Sequence, residues 1–145
     1  ASWQGQWVVV SYLCEDHGAN VEAQDKNGLT PLHFASQSGH LNVVQYLCDK
    51  RGAIVEAQNN IGKTPLHLGS KFGRLLVVRY LVDQKGANVE AKTKNGVTPL
   101  HYASQEGHVE VVQYLVDHGA NMEAQADNQG ETPLHETSKY GHLEV

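Results

Sequence analysis

The sequence predicts an all-α fold, a solenoid of stacked helix-turn-helix units, because one four-residue word returns at a fixed interval. Thr30-Pro31-Leu32-His33 recurs at residues 64–67, 98–101 and 132–135, always 34 residues after the previous copy. Such a period indicates a unit that buries its apolar face only by stacking on its neighbours. Between copies, apolar residues fall at helical spacing and glycines fall where helices must end.

Composition places the chain among globular proteins and excludes two classes. Of its 145 residues, 40% are hydrophobic and 19% are charged, which is ordinary for a globular domain. Apolar runs reach only four residues, as at 75–78, so we expect neither a membrane-inserted segment nor a signal peptide. The net charge of -5 argues against a nucleic-acid partner, which requires a basic surface.

The chain is predicted to be one array that begins and ends within a repeat. The spacing of residues 5–14 parallels that of residues 39–48, so the first segment matches the second half of a repeat. We therefore expect a piece of a longer array or a trimmed chain, with a single domain spanning 1–145. Its predicted divisions are 1–24 (second half of a repeat), 25–58, 59–92 and 93–126 (complete repeats), and 127–145 (first part of a further repeat).

Each repeat is predicted to hold two helices. In the first complete repeat, Thr30 suits the N-cap, and Pro31 suits the first helical position, where its missing N–H has no intrahelical partner to lose. Gly39 can end this helix in a left-handed conformation. The second helix is predicted from one apolar stripe, formed by Leu41, Val44, Leu47 and Cys48.

The link between repeats is predicted to be a hairpin-like finger. Asn27-Gly28 and Asn95-Gly96 are strong turn signals, because both residue types tolerate positive φ. The loops also exchange length within the constant period. The segment from Tyr114 to Gly119 is one residue shorter than its earlier equivalents, and the last finger is one residue longer near Ala126.

Three recurring patterns resemble the ankyrin repeat over essentially the whole chain. They are Thr-Pro-Leu-His-x-Ala, the Gly-His before the second helix, and Gly-Ala-Asn-Val-Glu-Ala after that helix. The resemblance implies projecting β-hairpin fingers and partner proteins bound along a concave surface of fingertips and first helices. The chain departs from the family where asparagine is common, so hydroxylation of that asparagine is not carried over. The departing residues are Glu22, Glu56, Glu90 and Glu123.

Three other patterns have alternative interpretations. Residues 57–64 match a relaxed form of the phosphate-binding loop pattern. However, Pro65 follows immediately, and other repeats have no lysine at the position of Lys63. The histidine column at ~10 Å spacing favours hydrogen bonds that lock fingers to helices over a zinc site. The tyrosine column from residue 12 to residue 114 indicates partial packing or, alternatively, a recognition ladder. We expect no catalytic residues, no metal and no cofactor.

The candidate partner-binding residues are the variable ones on the fingers and at the exposed end of each first helix. The set contains six lysines and only two acids. This balance predicts a basic surface that binds a segment carrying carboxylates or phosphates and one or two large apolar residues. The alternative is that these lysines only solvate the surface. The candidates are Lys26, Asn27, Leu29, Asn60, Ile61, Lys63, Lys71, Phe72, Lys92, Lys94, Asn95, Val97, Gln105, Glu106, Glu131, Lys139 and Tyr140.

These patterns favour a noncatalytic protein-binding scaffold, monomeric, with apolar ends that could stack end to end. The alternatives are a regulatory or targeting array whose catalytic or membrane domain lies outside this chain, and a spacer without partners. Cys14 and Cys48 lie one period apart at positions where later repeats have valine, which indicates core residues. Stacked helices ~8–10 Å apart would prevent a disulfide between them. A reduced, intracellular and cytoplasmic setting is therefore expected.

Overall fold

A computed structural model describes residues 3–15, 17–126 and 129–144, with side chains from residue 8 onward. These described ranges hold eight helices joined by turns, without a β-strand. None of these helices combines the length and the apolar content needed to cross a bilayer. The helices are α1 (Trp3–Glu15), α2 (Pro31–Ser38), α3 (Leu41–Asp49), α4 (Pro65–Lys71), α5 (Leu75–Asp83), α6 (Pro99–Gln105), α7 (Val109–Asp117) and α8 (Pro133–Tyr140).

The first helix of each repeat begins where the recurring word predicts. The threonine before α2, α4, α6 and α8 has an extended N-cap backbone, and proline occupies the first turn. Gly39 caps α2 in the left-handed region with φ of 77°. The predicted helix starts and the glycine stop of this repeat are therefore confirmed.

The helices stack in two layers. The first helices α2, α4, α6 and α8 pack in that order, and α1, α3, α5 and α7 form the second layer behind them. Two leucines per repeat, one from each helix, fill the space between the layers and are almost fully buried, namely Leu32, Leu47, Leu66, Leu81, Leu100 and Leu115. The two cysteines are also buried and free, as predicted, and burial raises the pKa of Cys48 to about 11.

The fingers are closed turns rather than hairpins with strands within the described residues. The N–H of Asp25 donates to the carbonyl of Leu29 at 3.0 Å, and the same bond closes 59–63 and 93–97. The side-chain oxygen of Asp25 also accepts from the N–H groups of Asn27 and Leu29, which is the Asx-turn chemistry expected of aspartate and asparagine. No strand flanks these turns in the described residues, so the predicted β-hairpin is not shown.

Adjacent fingers are bonded to each other through the main chain. The N–H of Asn60 donates to the carbonyl of Asn27, and the N–H of Lys94 donates to that of Ile61, both at 3.0 Å. Each finger is thus held against the next one. We refer below to the first (25–29), second (59–63) and third (93–97) fingers.

The predicted exchange of loop length is confirmed. After α3, the N–H of Ala53 donates to the carbonyl of Leu47, six residues earlier. After α7, the N–H of Ala120 donates to the carbonyl of Leu115, only five residues earlier. The fourth finger closes from Ala126 to Glu131, one residue longer than the others. Loops thus absorb the difference while the helical spacing is kept.

Candidate functional site: the groove at the second finger

The recurring histidine is a buried connector between repeats. Nδ1 of His67 accepts the N–H of Thr64 at 3.0 Å, and Nε2 lies 3.0 Å from the carbonyl oxygen of Val97. Because an amide N–H can only donate, Nδ1 must be the acceptor, and Nε2 carries the hydrogen that it donates to Val97. Burial lowers the pKa of His67 to about 4, which keeps the ring neutral.

The same bonds repeat along the array and fix the ends of the fingers. His33 reaches the carbonyl of Lys63, and His101 reaches that of Glu131, both at 2.9 Å. The predicted role of these rings in locking finger to helix is confirmed. The bond from His33 therefore holds the backbone of Lys63 against α2, the first helix of the preceding repeat.

The structure brings seven of the candidate residues into one groove between the first two fingers and helices α2 and α4. Its cavity volume is about 310 Å³. We call it the finger groove. It is lined by the candidates Asn27, Leu29, Asn60, Ile61, Lys63, Lys71 and Phe72, together with Gln37, Asn59 and Leu68.

The finger groove has an apolar part that stays accessible. Ile61 is 51% exposed and Phe72 is 39% exposed, while Leu68 on α4 is buried in the groove wall. Leu29 contributes from the first finger. Exposed apolar side chains beside polar ones are the usual composition of an interaction site.

The groove also has a cationic wall. Nζ of Lys63 lies 4.5 Å from the centroid of the Tyr102 ring, and Nζ of Lys71 lies 5.7 Å from the same centroid. Burial, and then the charge of Lys71, lower the pKa of Lys63. Among the described residues, ion pairs join Lys85 to Asp49 and His118 to Asp83, so neither groove lysine is paired with a carboxylate.

Tyr102, whose ring both groove lysines approach, is a residue that the sequence analysis missed. It occupies the variable position inside the Thr-Pro-Leu-His-x-Ala word, where the other repeats have Phe34, Leu68 and Glu136. Variation within an otherwise constant word was the signal that could have identified it.

The remaining candidates lie outside the finger groove. Lys26 is exposed on the first finger, and Lys94, Asn95 and Val97 belong to the third. Lys92 lines a separate polar depression of about 460 Å³ together with Glu90. Two pairs lie at the ends of α6 and α8, namely Gln105 with Glu106 and Lys139 with Tyr140.

The candidate surface is not uniformly basic. Burial, and then the nearby charge of Glu131, raise the pKa of the Glu136 carboxyl on α8. The charge of Glu136 in turn raises the pKa of Tyr102, after the larger effect of burial. The surface is thus cationic at Lys63 and Lys71 and anionic at Glu131 and Glu136.

The tyrosine column joins neighbouring repeats at the second helices. The hydroxyl of Tyr46 donates to Glu15 at 3.2 Å, and that of Tyr114 donates to Asp83. The acids recur at the same 34-residue interval as the tyrosines, a signal that the sequence analysis overlooked. This bonding favours the packing interpretation over a recognition ladder.

The glutamates that depart from the family pattern have a similar connecting role. Carboxylate oxygens of Glu22, Glu56 and Glu90 accept backbone N–H groups of the next link, at 2.9, 2.8 and 2.7 Å. The donors are Ile54, Asn88 and Asn121.

A larger cavity of about 620 Å³ lies beside α1, and its walls include Val9, Leu13 and Phe34. Its lining has neither a carboxylate nor an ammonium group, so it lacks the cationic groups that characterise the predicted partner-binding surface. The described residues also form no group of three metal-ligating side chains. The finger groove is therefore the candidate site.

Comparison with known families agrees with this architecture. A family model described as ankyrin repeats (3 copies) matches residues 1–93 and again residues 85–145. A search of curated proteins finds no significant match. Ankyrin repeats are generally protein-interaction modules. The stacked helix pairs, the recurring Thr-Pro-Leu-His word and this match together show that the chain belongs to the ankyrin-repeat family.

Proposed function

We propose that the chain is a noncatalytic scaffold that binds a segment of a partner protein in the finger groove. The observation that carries the proposal is the juxtaposition of exposed Ile61 and Phe72 with two lysines that pair with no carboxylate of the described ranges. The groove suits a segment that presents an acidic group next to a large apolar side chain. The candidates outside the groove would contact the flanking parts of that segment.

Rigidity of the groove backbone supports this function. The main chain of Lys63 receives the His33 bond, and its own N–H donates to the side chain of Asn59 at 2.8 Å. Asn60 is bonded to the first finger through both its backbone and its side chain. A site that is already ordered loses less conformational entropy when a partner binds.

Ile61→Glu is expected to abolish capture of the partner, because it places a carboxylate in the apolar part of the groove and opposes the partner's acidic group. We expect the captured amount to fall about tenfold or more, as for loss of a central apolar anchor. The measurement is affinity capture from a cell lysate with the wild-type chain and the variant, followed by quantitative mass spectrometry.

Leu76→Glu is the matched control, because Leu76 is 63% exposed on α5, in the second layer of helices. It adds the same charge to a similarly exposed apolar side chain on another face, and should leave capture unchanged. Equal losses for the two variants, or none for Ile61→Glu, would contradict a partner site in the finger groove.

A further inference from the structure

Lys63 and Lys71 form a pair of like charges that no carboxylate in the described part of the chain neutralises. Their ammonium groups approach the same Tyr102 ring, and the charge of Lys71 contributes to the lowered pKa of Lys63. The described carboxylates form no ion pair with either of them. Neighbouring cations that repel each other are stabilised when an anion binds between them.

The Tyr102 ring holds the lysines without removing their charge. A cation above an aromatic face is attracted to the ring, yet remains available to an anion on its other side. The backbone bonds to His33 and Asn59 fix the position from which the Lys63 side chain extends. Lys71 extends from the last turn of α4. Both lysines also line the finger groove, so an anion bound to them would lie beside the apolar residues Ile61 and Phe72.

The charge balance favours a dianion over a carboxylate. A carboxylate carries one negative charge, whereas a phosphoryl group on a side chain carries about -1.5 to -2 at neutral pH and offers three acceptor oxygens. Two ammonium groups therefore match the charge of a phosphoryl group and supply enough N–H donors for all three of its oxygens. Glu131 on the fourth finger and Glu136 on α8 make that end of the same surface unfavourable for a second anion.

We propose, in an inference that rests on the proposed function, that Lys63 and Lys71 bind a phosphorylated side chain of the partner segment. A neighbouring apolar side chain of that segment then packs against Ile61 and Phe72. Partner binding would then depend on phosphorylation of the partner. The finger groove would recognise the phosphate and the adjacent apolar residue together.

Three pools of fluorescein-labelled peptides test this inference by fluorescence polarisation with the full chain. All peptides carry a leucine at a varied distance from a central position, which holds phosphoserine, serine or glutamate. We expect the phosphoserine pool to bind about tenfold or more tightly than the other two, from its additional charge-assisted hydrogen bonds. Lys63→Gln/Lys71→Gln should remove this advantage.

Lys50→Gln/Arg79→Gln is the matched control, because it removes two positive charges from exposed positions at the second helices. It should preserve the phosphoserine preference. Equal binding of the three pools, or an undiminished preference in the Lys63 and Lys71 variant, would overturn the phosphate site and leave the proposed function standing. If no pool binds, the phosphate site is rejected, and the Ile61→Glu capture experiment alone decides the proposed function.

Discussion

Lowering the pH from about 6.5 to about 4 is expected to destabilise the folded chain strongly, because the buried histidines must remain neutral. The pKa of His67 is lowered from 6.5 to about 4 by burial, and burial lowers those of His33 and His101 in the same direction. The unfolded chain therefore takes up protons first as the pH falls. The stabilisation is fully present above the unfolded pKa and is lost progressively down to the folded pKa.

The expected size of this effect follows from the shift at His67. A difference of roughly 2.5 pKa units corresponds to about 3 kcal/mol of unfolding free energy from this one side chain. Protonation would also place a hydrogen on Nδ1, directly against the N–H of Thr64 that it accepts. Urea unfolding followed by circular dichroism between pH 7.5 and pH 4.5 measures the loss.

His67→Gln provides the control for this titration. A glutamine oxygen can accept a hydrogen bond without taking up a proton in this range, so the variant should be less stable at pH 7.5 and should lose less further stability on acidification. An unfolding midpoint that stays constant between pH 7.5 and pH 5, or an equal pH dependence in wild type and variant, would contradict the neutral connector role.

Gly62→Ala is expected to disrupt the packing of the second finger on the third. Gly62 has φ of +83°, and a Cβ built there would lie 2.9 Å from the backbone N of Lys94 and 3.1 Å from the Cα of Thr93. Backbone atoms cannot move aside as a flexible side chain can. We expect a loss of about 2–4 kcal/mol in unfolding free energy, from the left-handed conformation and the overlap together.

Gly52→Ala separates these two contributions. Gly52 has φ of +67° but no heavy atom within 4 Å of its built Cβ, so it should lose only the conformational part, about 1 kcal/mol. Urea unfolding of both variants gives the comparison. Equal losses would show that contact between fingers does not limit the residue at position 62, and would remove the argument that neighbouring fingers shape the groove.

Local chemistry that recurs in every repeat was predictable from sequence. Thr30 and Pro31 define the start of α2 through capping and φ, and these requirements do not depend on distant contacts. The buried role of His67 followed from its recurrence at a spacing too large for a metal site. Variability between repeats also identified Ile61, Lys63, Lys71 and Phe72, which the structure brings into one groove.

Contacts between repeats were harder to predict, because they join residues about one period apart. The approach of Lys63 to Tyr102 depends on how one finger faces the next first helix, which no local pattern specifies. The bond from Tyr46 to Glu15 and the bond from Asn88 to Glu56 are of the same kind. The turn residues predicted hairpin-like fingers and the family resemblance implied β-hairpins, but turn chemistry alone does not supply the strands that a ladder requires.

Mapping a bound partner by amide hydrogen exchange tests the central claim most directly. With a captured partner, or with a tight peptide from the pools above, we predict that new protection concentrates at residues 26–29, 59–63 and 71–72, the backbone around the finger groove. Protection that instead concentrates on the second helices α3, α5 and α7, with the finger residues unchanged, would contradict the account.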